Sequence, residues 1–415
     1  MKARIEVTKR LRKGYARATK SEKSQVLDNF CVATGLCRST ARRYLTSETA
    51  GRTKVMKLDQ RKCKASKYSA AAKLKLVWLW RCMGMPCGKY LVAGREQWIG
   101  ALEAHGELVP GLEGWTKEVK QELLSMSAAT IDRYLKKERK LLELKGLSAT
   151  KPGALLRNAI TVRKAGDEME QDPGFFEVDT VAHCGPTLKG EFARTLTLTD
   201  VQTGWIQLEV LRNNARVHML GGLERALAAI PFWVQGLDFD NGSEFINHDV
   251  ISWAAKRQIY FTRARPYHKN DQAQVESKNN HAVRKYGFYY RYDTEEERQS
   301  LAELWQRVTL KLNFFMPTKK PVGWTEDKKG RRKRIYDTPA TPFERLLTAN
   351  VLSTTQIQEL LLLRDSINPL ELTRNILRYQ NNLTRLASEK TQVLTDQLTQ
   401  RRQKALEGGF KCIVQ

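Results

Sequence analysis

Phe175-Phe-Glu-Val-Asp-Thr-Val181 puts a carboxylate, Asp179, inside a run of aromatic and β-branched residues. Such residues favour a strand, and a charge within a strand needs a partner to offset its desolvation. Working outward, residues 192–210 read as a hairpin turning around 200–204, and 215–230 as a helix. Residues 234–239 and 259–263 read as further strands, each followed by or leading into a helix, at 244–258 and 271–286. The expected unit is an α/β domain with a mixed five-stranded sheet.

Asp240 closes the fourth strand, and Asn241-Gly242 then turns the chain toward a helix. Glu276 lies early in the last helix, with 35 residues between it and Asp240. Other acids fit other roles: Asp200 a hairpin turn, Asp238 a strand position without the Asn-Gly that follows Asp240, and Glu244 a helix N-terminus. The ordered set is Glu177-Val-Asp-Thr180, Asp240-Asn-Gly-Ser-Glu-Phe245, Arg265-Pro-Tyr-His-Lys-Asn270 and Val275-Glu-Ser-Lys-Asn279. It resembles the catalytic region of retroviral integrases and, more closely, of bacterial insertion-sequence transposases of the same superfamily, over about residues 172–345. The resemblance implies an RNase H-like fold in which Asp179, Asp240 and Glu276 bind two Mg²⁺ ions, with Mn²⁺ as a substitute.

Those side chains suit phosphoryl transfer. In-line attack at a phosphodiester requires charge on the phosphate to be neutralised, the attacking hydroxyl activated and the departing one stabilised, which two cations about 3.5–4 Å apart do together. Hard oxygen ligands suit Mg²⁺. Asp179 is expected to bridge both ions, Asp240 to hold one and Glu276 the other, with water or a DNA 3′-hydroxyl as nucleophile. His268, Lys269 and Lys278 are candidates for phosphate contact, and Asn241, Asn270 and Asn279 for orienting carboxylates or DNA; loop or helix-cap hydrogen bonding fits each as well.

The chain has 415 residues and a net charge of +26, which favours a polyanionic partner. Residues 1–150 carry 32 Lys and Arg against 14 Asp and Glu, so most of the charge lies in the N-terminal third. Within it a pattern recurs: Arg38-Ser-Thr-Ala-Arg-Arg-Tyr-Leu45 parallels Ala128-Ala-Thr-Ile-Asp-Arg-Tyr-Leu135. Each copy begins with a small hydroxylated residue suited to helix capping and follows another helical segment, 21–33 or 116–124. Two helix-turn-helix units are expected, aiming Arg42 and Arg43, then Arg133 and Lys136, at DNA; the alternative is small bundles with solvated arginines.

The domain reading is helix-turn-helix DNA-binding units at 1–60 and 61–145, a linker at 146–173 and an RNase H-like catalytic core at 174–300. A small basic β-rich module at 301–350 and a helical tail at 351–415 complete it. In the basic module, six of the seven residues 328–334 are positive, which makes Arg331 and Arg332 candidates for phosphate contact. In the tail Ile376, Tyr379, Leu383, Leu386 and Val393 form a stripe that suits a short coiled coil or packing onto the enzyme.

No stretch approaches the roughly 20 apolar residues of a spanning helix, and the basic N-terminus lacks a secretory apolar run. Seven scattered cysteines form no disulfide framework and lack zinc-knuckle spacing. A cytoplasmic, nucleoid-associated bacterial protein is expected. Its partners would be the double-stranded DNA of transposon terminal repeats and target, and further copies of itself, since two ends must be held together. No G-x-x-x-x-G-K-[ST] loop is present, so an ATPase helper would be a separate chain. Two other readings share these features: a DNA-binding regulator without turnover, and an RNase H-type nuclease.

Overall fold

The computed structural model describes residues 2–47, 67–140, 161–163, 172–239, 248–264, 279–326 and 332–411. The chain forms two compact units, Met1–Lys67 and Tyr68–Gln415.

In the first unit, α1 (Lys2–Arg17), α2 (Lys20–Thr34) and α3 (Arg38–Thr46) enclose Tyr15, Leu27, Phe30, Ala41 and Leu45. The Glu22 carboxylate accepts from the Thr19 backbone N–H at 2.8 Å and starts α2. Gly35, at φ 68°, ends it. The sequence reading contained α2 and α3 but no α1. It also expected a hydroxylated cap for both repeats. Thr130 N–H does reach Ser127 Oγ at the start of α7 (Ala128–Lys140), whereas α3 begins after Cys37, which makes no side-chain capping bond.

The second unit opens with α4 (Ala70–Cys82), α5 (Gly88–Ala104), α6 (Lys117–Ser125) and α7 around buried Leu76, Trp80, Trp98 and Ile131. Arg95 of α5 donates to the carbonyls of Leu123, Leu124 and Met126 at the end of α6. It thereby fixes the α6–α7 turn.

The sheet contains β1 (Thr161–Arg163), β2 (Phe175–Ala182), β3 (Arg194–Asp200), β4 (Ile206–Leu211), β5 (Gly236–Phe239) and β6 (Tyr260–Ala264), in the order β1-β6-β5-β2-β3-β4. β2, β3 and β4 are antiparallel neighbours; β5 joins β2, β6 joins β5 and β1 joins β6 in parallel. Six strands stand where five were expected, because β1 comes from the segment read as a linker. α8 (Arg216–Ala228) lies on one face, so closely that a Cβ on its Gly222 would collide with Leu211. α9 (His248–Lys256) lies between β5 and β6 in the chain.

Along β3, Thr195, Thr197 and Thr199 alternate with buried Leu196 and Leu198, so they share the other face. α10, a π-helical turn (Asn279–Arg284), runs directly into α11 (Lys285–Gly287) and is followed by α12 (Glu295–Phe315). Trp305 of α12 donates to Thr195 Oγ1, and the Asn313 carboxamide pairs with both backbone groups of Ile206 on edge strand β4. Trp98 and Gln97 of α5 donate to the carbonyls of Phe315 and Phe314, joining the α4–α7 bundle to α12.

A two-stranded hairpin, β7 (Pro321–Glu326) with β8 (Arg332–Tyr336), precedes α13 (Pro342–Thr348), α14 (Thr354–Ser366) and the 43-residue α15 (Pro369–Lys411). Ile376, Leu383 and Ala387 of α15 are buried and Lys390 reaches Asp293 and Glu297, so the apolar stripe packs within the chain up to that level. Val393, beyond it, is half exposed. Among the described residues no helix is long and apolar enough to cross a membrane.

Candidate active site

Asp179 lies midway along β2, a strand with hydrogen-bonded neighbours on both sides, and its side chain is half-buried. Thr197 of β3 is its register partner. On the other side Val178 pairs with Phe239, the residue immediately before Asp240 in the chain. Asn279, three positions after Glu276, donates from Nδ2 to Asp179 Oδ2. Asp179 Oδ1 accepts from the Thr180 N–H at 2.6 Å.

The two residues that neighbour this carboxylate each carry a neutral oxygen. Thr197 Oγ1 and Asn279 Oδ1 are buried and have no hydrogen-bond partner among the described residues. Such oxygens are costly to bury unmatched. Carboxylate, hydroxyl and amide oxygens are the hard donor types that suit a divalent cation of the Mg²⁺ kind. Asp240 and Glu276 lie outside the described residues, as do Asn241, His268, Lys269, Asn270, Lys278 and Arg331; Arg332 is described only as part of β8. Among the described residues no three His, Cys, Asp or Glu side chains converge as a metal site.

The acids set aside on sequence grounds have defined surroundings. Asp200 is fully buried and accepts from Gly174 N, Thr203 N and Thr203 Oγ1, an Asx-type turn; burial pushes its carboxyl above the usual range. Asp238 is fully buried, accepts from Thr262 Oγ1 at 2.6 Å and is the register partner of buried Glu177.

His183, just past β2, is also fully buried, and burial followed by nearby Arg284 pulls its pKa well below the usual 6.5. His183 Nε2 lies 2.7 Å from Thr195 Oγ1, the same hydroxyl that accepts from Trp305. The buried ring is neutral and holds the strand end. Arg284 donates to the Ala182 carbonyl and ties α10 to the same end.

In the helical units Arg42, Arg43, Arg133 and Lys136 are exposed, while Ala41, Leu45, Ile131 and Leu135 of the same helices are buried. Sequence reasoning missed Arg291, which is buried and donates to the carbonyls of Cys184, Thr187, Lys189 and Glu191, fastening the loop that leaves β2. It also missed Lys311. No periodic or motif signal marks either.

Residues 170–269 match the family model described as "Integrase core domain". The chain is 33% identical over 320 residues to "Uncharacterized protein y4rM" of Sinorhizobium fredii (strain NBRC 101917 / NGR234), covering 77% of this chain and 88% of that protein. Among solved structures, the crystal structure of the catalytic core domain of BIV integrase is 17% identical; the match covers 42% of this chain and 95% of that one, with a TM-score of 0.28.

Proposed function

This chain belongs to the family of proteins built on an integrase core domain, and from that premise we propose that it is a DNA transposase that binds transposon ends, cuts them and joins them to target DNA. Asp179, Asp240 and Glu276 would hold two divalent cations, Mg²⁺ in the first instance. The observation that carries this reading is the surroundings of Asp179. Its strand pairs with the one leading into Asp240, and its carboxylate is bound by Asn279, three residues after Glu276. Bound there, the cations would supply neutralisation of phosphate charge and a lowered pKa for the attacking hydroxyl.

The chain's own residues do the rest. Asn279 holds one Asp179 oxygen in place, leaving the carboxylate oriented without adding charge. Thr197 keeps a hydroxyl on the same face. Arg42, Arg43, Arg133 and Lys136, all exposed, would meet phosphates, and Arg331 and Arg332 of the basic segment 328–334 would do the same. Two DNA ends must be held at once, which favours a dimer or larger assembly on DNA.

The test is strand transfer by the full chain: a duplex ending in its element's terminal repeat, Mg²⁺ and a supercoiled plasmid. Joined product is expected from the parent, while Asp179→Asn, Asp240→Asn and Glu276→Gln bind the end and do not join it. Each ~1.4 kcal/mol of lost transition-state stabilisation costs about tenfold, and a lost cation removes several kcal/mol. Near-parental joining by Glu276→Gln would sink the triad.

A further inference from the structure

A cleft of about 480 Å³ opens between the α4–α5 turn, α10–α11 and the β7–β8 hairpin, all within the second unit. That size encloses one small ligand. We propose that it receives a single unstacked nucleotide of the DNA strand, base against tyrosines and phosphate against lysine and arginine; this deepens the transposase reading and rests on it.

The lining is amphipathic in the sense a nucleotide needs. Tyr90 and Tyr336 contribute rings, and among the described residues no carboxylate lines the cleft. Lys319 sits 4.4 Å from the Tyr336 ring centroid, and Tyr90 lines the same cleft, so it holds two rings and an ammonium. Arg345 and Lys320, also in the lining, are engaged by Asp337 and Gln202. Lys285, Lys319 and Arg334 by contrast have no ion pair with a carboxylate among the described residues.

Position links the cleft to the chemistry. His281 and Ala282 line it, and they follow Asn279, the partner of Asp179, by two and three residues on the same helical stretch. At about 1.5 Å per residue that offset is only a few ångströms along the axis. A strand whose phosphate lies at Asp179 would therefore have a neighbouring nucleotide within reach of the cleft. Enzymes that modify a base take single nucleotides out of the stack into such pockets, and stacking of unpaired bases on aromatic rings is tolerant of sequence.

The experiment uses the full chain without metal and a short oligothymidylate carrying one 5-iododeoxyuridine, irradiated and mapped by peptide mass. Adducts are expected at Tyr90 or Tyr336. Tyr336→Ala and Lys319→Ala should cut them about tenfold, and Tyr336→Phe, which keeps the ring, should restore them. Unlabelled oligothymidylate should compete better per nucleotide than free thymidine monophosphate. Adducts confined to residues outside the cleft, no adduct at all, yields indifferent to the variants, or equal competition by the mononucleotide would each overturn the assignment. Asp179→Asn should crosslink like the parent, so failure of the metal-site reading leaves this result standing and is distinguishable from failure of the cleft.

Discussion

A carboxamide beside a carboxylate fixes its orientation without adding charge, and Asn279 does this for Asp179. Asn279→Leu removes a hydrogen bond to a charged group, an interaction worth about 1.5–3 kcal/mol, so strand transfer should slow about tenfold to a hundredfold while end binding holds. Asn279→Asp instead faces Asp179 with a like charge, which raises its pKa and should move the acid limb of the rate profile to higher pH. An unshifted limb would mean the two side chains do not couple. Asp179 was legible because a carboxylate within a strand is anomalous; Asn279 was one of three equivalent candidates until the fold put it against Asp179. Lys311 was not legible at all, since a lysine in a helix reads as solvated. It is 1% exposed and donates to the Cys82 carbonyl and Thr373 Oγ1, with burial pushing its pKa down to about 7. Between about 7 and the unfolded value near 10.5 the unfolded chain binds the proton and the folded one does not, so stability rises with pH across that window. The full penalty applies below about 7. The thermal midpoint should therefore climb from pH 7 to 9, and Lys311→Met, which leaves Thr373 bonded to the Cys82 carbonyl, should raise the midpoint at pH 7 and flatten the slope. Parallel slopes in the two proteins would refute the buried neutral amine.

Elements whose residues alternate cleanly were readable, and those defined only by tertiary pairing were not. β2 through β6 follow from branched and aromatic runs between turn residues, but β1 has three residues in a segment of mixed Pro, Gly, Lys and Asp, and exists through its pairing with β6. α1 was missed although its Thr8 and Tyr15, seven residues apart, are both buried. The loop that leaves β2 is held by a residue far away in sequence. Arg291 gives four donations to its carbonyls, a 2.6 Å contact to Asp293, and its backbone N–H to Thr391 of α15. Asp293 also meets Lys390, so α15 and the loop share one ionic cluster. Arg291→Ala strands the carbonyls and leaves Asp293 to Lys390 alone, and each buried acceptor left without a donor costs about 1–3 kcal/mol. Urea unfolding should show a loss of that order, and limited proteolysis should newly cut the loop at 184–191. A variant that unfolds and resists protease like the parent would remove Arg291 from this role.

At the scale of the whole molecule, packing draws its boundary at residue 67, within the segment that the charge pattern marks. Charge alone grouped residues 1–145 as a docking segment, because basic residues and both helix pairs lie there. Packing groups them otherwise. The first three helices close their own core around Phe30 and Leu45, whereas α4–α7 give up Trp98, Gln97 and the Cys82 carbonyl to α12. A fragment ending near 145 would leave Trp98 without its carbonyl partner and expose the apolar surface around it, so it should aggregate or melt without cooperativity. Residues 1–67 should fold alone, seen as helical circular dichroism with a sigmoidal melt, and should bind DNA through the exposed face of α3. If about four phosphates are covered, counterion release predicts roughly a hundredfold weaker binding for a fourfold rise in salt. Arg42→Ala with Arg43→Ala should lower both the affinity and the steepness of that salt dependence, since each phosphate contact contributes to the slope. A soluble, cooperatively melting 1–67 fragment whose binding ignores these arginines would move end recognition to α7, where Arg133 and Lys136 are exposed.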